Sequence, residues 1–144
     1  MSPSSPAAPD EVMRPQRMPD EACVRRDLSA RADSFLAVWG APILAGLIAS
    51  FAAPSITWAA GAWSVALAWM GAACLLNARR CGRLHCFFSG PILLVGALLA
   101  ALVALGQLDA NAIGLGAIVT GALVLFGLTY ALELALGRYL RRDA

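Results

Sequence analysis

The chain has 144 residues, 60% of them hydrophobic and 14% charged, with a mean hydropathy of +0.71. Such apolarity excludes a water-soluble domain of this size, and a net charge of +2 excludes the basic excess that nucleic-acid binding needs. All eleven basic residues are arginine, and four cysteines and a single histidine are the only soft metal ligands besides methionine.

Residues 1–33 read as a cytoplasmic tail. Met1 to about Pro19 carries five prolines among Ser, Ala and acidic residues, a composition that cannot bury apolar surface and predicts disorder. From Asp20 to Asp33, charges intermingle with Ala22, Val24, Leu28 and Ala30, which predicts a short amphipathic helix on the membrane surface. Cys23 lies in this tail.

Four apolar segments follow, at about 35–53, 57–76, 87–105 and 112–132. At a rise of about 1.5 Å per residue each reaches across a hydrocarbon core of about 30 Å. The expected fold is therefore all-α: an integral membrane protein with four transmembrane helices in a domain at 34–138, followed by a basic tail at 139–144. Pro54-Ser55 marks the turn after the first helix, and Gly106 to Asn111 links the third and fourth. Ser89-Gly90-Pro91 reads as a helix start. The regular part of the third helix would then begin at Pro91, and Cys81 to Phe88 would form an interfacial segment anchored by Phe87 and Phe88.

Arginines precede the first span, lie between the second and third (Arg79, Arg80, Arg83) and follow the fourth, whereas the other two loops have none. The positive-inside rule then puts both termini and the middle loop in the cytoplasm, in a bacterial-type inner membrane. An export signal with cleavage after the first apolar run is disfavoured, because that run is longer than a signal core and contains Pro42. Gly46 and Ser50 in the first helix, Gly61, Ser64 and Gly71 in the second, and Ala117 and Gly121 in the fourth are small residues of the kind that let helices approach in lipid. They predict a compact bundle, with a homo-dimer or another membrane protein as a partner besides the bilayer.

Chemistry concentrates in Cys81-Gly82-Arg83-Leu84-His85-Cys86. Two thiols and an imidazole suit a thiophilic ion such as Zn(II), Cu(I) or Hg(II), with Cys81, His85 and Cys86 as ligands facing the cytosol. Met70, Cys74, Asn77 and Cys81 recur at steps of four, three and four, so Cys74 extends the ligand set along one helix face if the second helix continues that far. Arg79, Arg80 and Arg83 favour a thiolate and are also placed to bind lipid phosphates or a partner. Glu133, the acidic residue near the end of the last span, is a polar partner for one of these arginines. Trp58 and Trp39 suit the membrane interfaces, whereas Trp63 and Trp69 fall deeper, where the indole N–H needs a partner. No phosphate-binding glycine loop, no Ser-His-Asp set and no pair of intramembrane carboxylates is present, which argues against an energised pump or a hydrolase.

The stretch Asn77-Ala78-Arg79-Arg80-Cys81-Gly82-Arg83-Leu84-His85-Cys86-Phe87-Phe88-Ser89-Gly90-Pro91 resembles a motif of small uncharacterised prokaryotic membrane proteins. In general plan, a few spans with cysteines at the cytosolic face, the chain is also similar to the small mercury-uptake membrane proteins. Those carry a cysteine pair in the first helix, which is absent here, so no residue role transfers. The leading expectation is a small inner-membrane protein that binds or passes a thiophilic metal ion. The alternatives are a membrane thiol–disulfide oxidoreductase in which Cys81 and Cys86 cycle between dithiol and disulfide, and a non-catalytic accessory subunit in which the arginines matter and the cysteines do not.

Overall fold

The computed structural model of the chain describes residues 27–28, 31–81, 83–109 and 113–136, the side chains of Cys81, Leu134 and Leu136 excepted. Within them run four helices: α1 (Ala32–Ala52), α2 (Ile56–Cys81), α3 (Leu84–Ala104) and α4 (Leu115–Leu136). Each is long and apolar enough to span a bilayer. Cys23 and most of the amphipathic stretch expected ahead of the first span lie outside the described residues.

Helices α2 and α3 form the centre, α1 packs on α2, and α4 packs chiefly on α3. Burial follows this order. Half of the apolar window of α2 is buried and 44% of that of α3, against 11% for α1 and 22% for α4. In lipid, apolar side chains gain little by leaving the solvent, so the centre must be held by close approach and polar contacts. Gly71 and Gly90 supply that approach. A Cβ on Gly71 would sit 3.1 Å from the Gly90 carbonyl oxygen and 2.9 Å from Leu94, and one on Gly90 would sit 2.7 Å from Leu75. Backbone thus meets backbone where α2 and α3 cross, and Cys74, Ser89 and Cys86 are brought together beside the crossing.

Two helix boundaries differ from expectation. Helix α3 begins at Leu84 and passes through Pro91, so His85 and Cys86 belong to its first turn rather than to an interfacial segment. Pro91 forgoes one backbone hydrogen bond, but the turns before it bury Cys86, Ser89 and Gly90 against α2 and His85 against Glu133 of α4. Helix α2 runs on to Cys81, five residues beyond the apolar segment, because Asn77 and Ala78 are buried against the same neighbours.

Helix α1 contains a wide π-turn at Leu36–Gly40. Pro42, near the start of the α-helical part that follows, has no N–H to give the Val38 carbonyl and its ring crowds that group. Widening the preceding turn accommodates it and turns Trp39 inward, to 2% exposure, instead of out to the interface. At the far end, α3 stops where Gly106 adopts φ +67°, a left-handed conformation natural to glycine. Gly106 N–H then donates to the Val103 carbonyl and Gln107 N–H to that of Leu102, satisfying carbonyls the helix leaves open.

Candidate functional site

At the end of the bundle shared by the start of α1, the α2–α3 link and the end of α4, polar side chains converge in the interior. Asp27, Asn77, Arg83, His85, Ser89 and Glu133 are all buried, and so are the thiols of Cys74 and Cys86. Burying so many polar groups is costly unless each is paired, and here the pairing forms a connected chain.

The Arg83 guanidinium is its hub. Nε and Nη2 donate to Glu133 Oε1 at 3.1 and 3.0 Å, and Nη1 donates to Asp27 Oδ2 at 2.5 Å. Burial alone would pull the Arg83 pKa down. The hydrogen bond to Glu133 and the charge of Asp27 outweigh it and hold the group above its ordinary value, so it stays charged. The other Glu133 oxygen, Oε2, pairs with His85 Nδ1. A carboxylate only accepts, so the proton lies on Nδ1 and the Nε2 lone pair is left facing Cys86 Sγ at 3.2 Å. Tyr130 packs on the imidazole with ring centroids 4.7 Å apart, which fixes the ring plane.

Around the sulfurs the remaining partners are donors. Asn77 Nδ2 lies 3.7 Å from Cys86 Sγ, and Ser89 Oγ donates to Cys74 Sγ at 3.5 Å. Both thiols are free and buried, Cys74 on α2 and Cys86 on α3, beside the crossing of the two helices. The Trp39 indole N–H is buried and has no hydrogen-bond partner among the described residues. Asn77 also ties the site to the segment ahead of α1, donating to Asp27 Oδ1 at 2.9 Å and accepting the Leu28 N–H at 3.2 Å.

The arrangement Glu133–His85–Cys86 is that of an activated nucleophile: a thiol whose proton has a basic nitrogen to go to, with the base held in one tautomer by a carboxylate. Cys74 is the second buried free thiol of the site.

Of the residues singled out from the sequence, Cys74, His85, Cys86, Arg83 and Glu133 come together. His85 and Cys86 are enclosed by the helices rather than presented by an aqueous loop, with 1% and 0% exposure. Arg83 is spent on the two carboxylates, whereas Arg79 and Arg80 are exposed. The Cys81 side chain lies outside the described residues. Among the described residues no group of three or more His, Cys, Asp or Glu side chains is arranged to hold a metal ion. Trp63 finds its partner in Ser50 Oγ at 2.8 Å, while Trp69 is 61% exposed. Asp27 and Ser89 were not legible as site residues, since nothing in a charged tail or a helix-start tripeptide points to a contact with α2. Asn77 was visible only as one member of the α2 stripe.

A cleft of about 330 Å³ opens at the other end of the bundle, lined by Leu47, Ser50, Trp63, Val119 and Thr120 among others. It holds hydroxyls but no titratable or strongly nucleophilic group. No protein-family model, no curated protein and no solved structure matches the chain.

Proposed function

We propose that the protein is a membrane thiol–disulfide oxidoreductase whose working pair is Cys74 and Cys86, with His85 as general base and Glu133 as the group that orients it. The observation that carries this reading is the continuous line from Glu133 through His85 Nε2 to Cys86 Sγ, with Cys74 alongside. In the reaction His85 takes the Cys86 proton, and the thiolate attacks one sulfur of a substrate disulfide and expels a thiol. Cys74 then attacks Cys86, closing an internal disulfide and releasing the second thiol. The chain works in a bacterial-type inner membrane with both termini, and therefore this site, at the cytoplasmic side. There a disulfide is transient, as catalysis requires.

Treating the purified, reduced protein with a small disulfide should remove the mass of two hydrogens and link the Cys74 and Cys86 peptides. Cys86→Ser should abolish the link, and His85→Ala should slow it about 10²-fold or more. An unchanged rate in His85→Ala, or no link at all, overturns the reading.

A second reading, the thiophilic metal ion expected from the sequence, is favoured by one observation: two free thiols are buried in one site, and two thiolates suffice for the two-coordinate geometry that Cu(I) and Hg(II) accept. Mass spectrometry of the same protein after exposure to these ions separates the two readings. Cysteine-dependent retention of one ion without disulfide turnover selects the metal.

A further inference from the structure

The groups that hold Asp27 form a carboxylate clamp in the wall of the thiol centre. Asn77 Nδ2 donates to Oδ1 at 2.9 Å and Arg83 Nη1 to Oδ2 at 2.5 Å, so each oxygen is met by a donor from a different element. The clamp is enclosed: the Arg83 side chain is 7% exposed and that of Asp27 0%, and Asn77 is fully buried. The same Asn77 nitrogen lies 3.7 Å from Cys86 Sγ. A carboxylate is therefore held one amide group away from the nucleophilic sulfur. The carboxylate now in place comes from the segment ahead of α1, not from the helices that build the clamp.

We propose that this clamp recognises the carboxylate of a small thiol substrate, and that Asp27 occupies it as an internal stand-in until substrate arrives. The substrate class is a low-molecular-weight disulfide with only a short spacer, about one or two carbons, between carboxylate and sulfur. With Asn77 Nδ2 3.7 Å from Cys86 Sγ, such a spacer lets the carboxylate sit on Asn77 and Arg83 while its sulfur meets Cys86. The inference rests on Cys86 acting as the nucleophile. Exchange of one carboxylate for another keeps both donors satisfied, whereas a neutral disulfide would leave a buried amide and a buried guanidinium short of a partner. Arg83 keeps Glu133 throughout, so the hub survives the exchange. The exposed Arg79 and Arg80 one turn earlier on α2 draw an anion to this end.

The chemistry balances as a disulfide exchange. The Cys86 thiolate, its proton on His85 Nε2, attacks one sulfur of RS–SR and forms Cys86–S–SR. The departing RS⁻ takes the proton from His85. Cys74 next attacks Cys86 Sγ, its own proton passing to the second RS⁻, and the products are the Cys74–Cys86 disulfide and two RSH.

The test uses the full chain carrying Cys74→Ser, which stops resolution and leaves the mixed disulfide on Cys86 to be counted by intact mass. Two probes are compared, the bis-carboxylate dithiodiglycolate and the neutral bis(2-hydroxyethyl) disulfide, with and without Asp27→Ala. Vacating the clamp should accelerate dithiodiglycolate at least about tenfold more than the neutral probe, and added acetate should slow dithiodiglycolate in the Asp27→Ala background. Equal acceleration of both probes overturns the proposal, because Asp27 is then a plain plug. No acceleration of either overturns it too, because the clamp is then closed to substrate. Asp27→Ser, which also removes the carboxylate and opens the clamp, serves if the alanine variant unfolds. Failure of the exchange reading itself looks different: neither probe labels Cys86 in any variant, although both label the denatured chain.

Discussion

The thiol pair depends on two residues that have no side chain. Gly71 and Gly90 let the α2 and α3 backbones meet, and only because they do does Ser89 on α3 reach Cys74 Sγ on α2 at 3.5 Å, with Cys86 one turn before Ser89. A methyl group on Gly71 faces the Gly90 carbonyl oxygen at 3.1 Å, a backbone atom that can yield only if the helices part. Gly71→Ala should therefore destabilise the protein by about 1–3 kcal/mol, the usual cost of overpacking. By separating the sulfurs it should also slow internal disulfide formation. Gly127→Ala on α4 is the control: nothing lies within 4 Å of the added Cβ. It should leave both properties unchanged, or raise stability slightly through helix propensity. Thermal unfolding in detergent and the rate of disulfide formation read the two effects. Equal behaviour of the two variants would mean that the crossing does not set the sulfur geometry.

The helices were legible in the sequence because the apolar runs are long and their ends are punctuated, but the ends themselves were set by contacts that no single run encodes. Helix α3 continues back through Pro91 to Leu84 because its first turn buries His85 against Glu133 of α4 and Cys86 beside Asn77 of α2, and a proline read in isolation says only that a helix can start there. The stripe Met70, Cys74, Asn77 did announce a common face, and all three are buried on it. Asp27 could not be foreseen at this site, since Asn77 and Arg83, which bind its carboxylate, lie 50 and 56 residues away. These contacts also rank the elements by strength. Helix α1 leans on α2 alone among the other helices and buries 11% of its apolar window, so its docking is the weakest in the bundle. Hydrogen exchange in detergent should show amides of α1 opening before those of α2 and α3. Because Asp27 precedes α1, the Cys86 thiol should become reactive in step with α1 opening rather than with global unfolding. Simultaneous exchange of α1 and α2 would refute this order.

For the molecule as a whole, the buried network constrains topology without reference to any charge rule. Asp27 before α1, Arg83 between α2 and α3, and Glu133 near the end of α4 are joined by direct hydrogen bonds, so these three points lie at one end of the bundle. The helices must then alternate in direction, and both flanks of the four-helix unit emerge on the same side. Which side that is depends on the arginines. Arg31, Arg79, Arg80 and Arg83 lie at the end carrying the network; in sequence the other arginines all precede α1 or follow α4, the α1–α2 and α3–α4 connections have none, and translocating arginine is what insertion disfavours. Placing a single cysteine at Asp109 in a chain otherwise free of cysteine should make it react with a membrane-impermeant maleimide on intact cells. A single cysteine at Arg79 should react only after the membrane is opened. The converse pattern would place the thiol centre outside the cytosol, where the Cys74–Cys86 disulfide is the resting form. The protein would then deliver oxidising equivalents rather than consume them, since in an oxidising compartment the pair is drawn toward disulfide and in a reducing one toward dithiol.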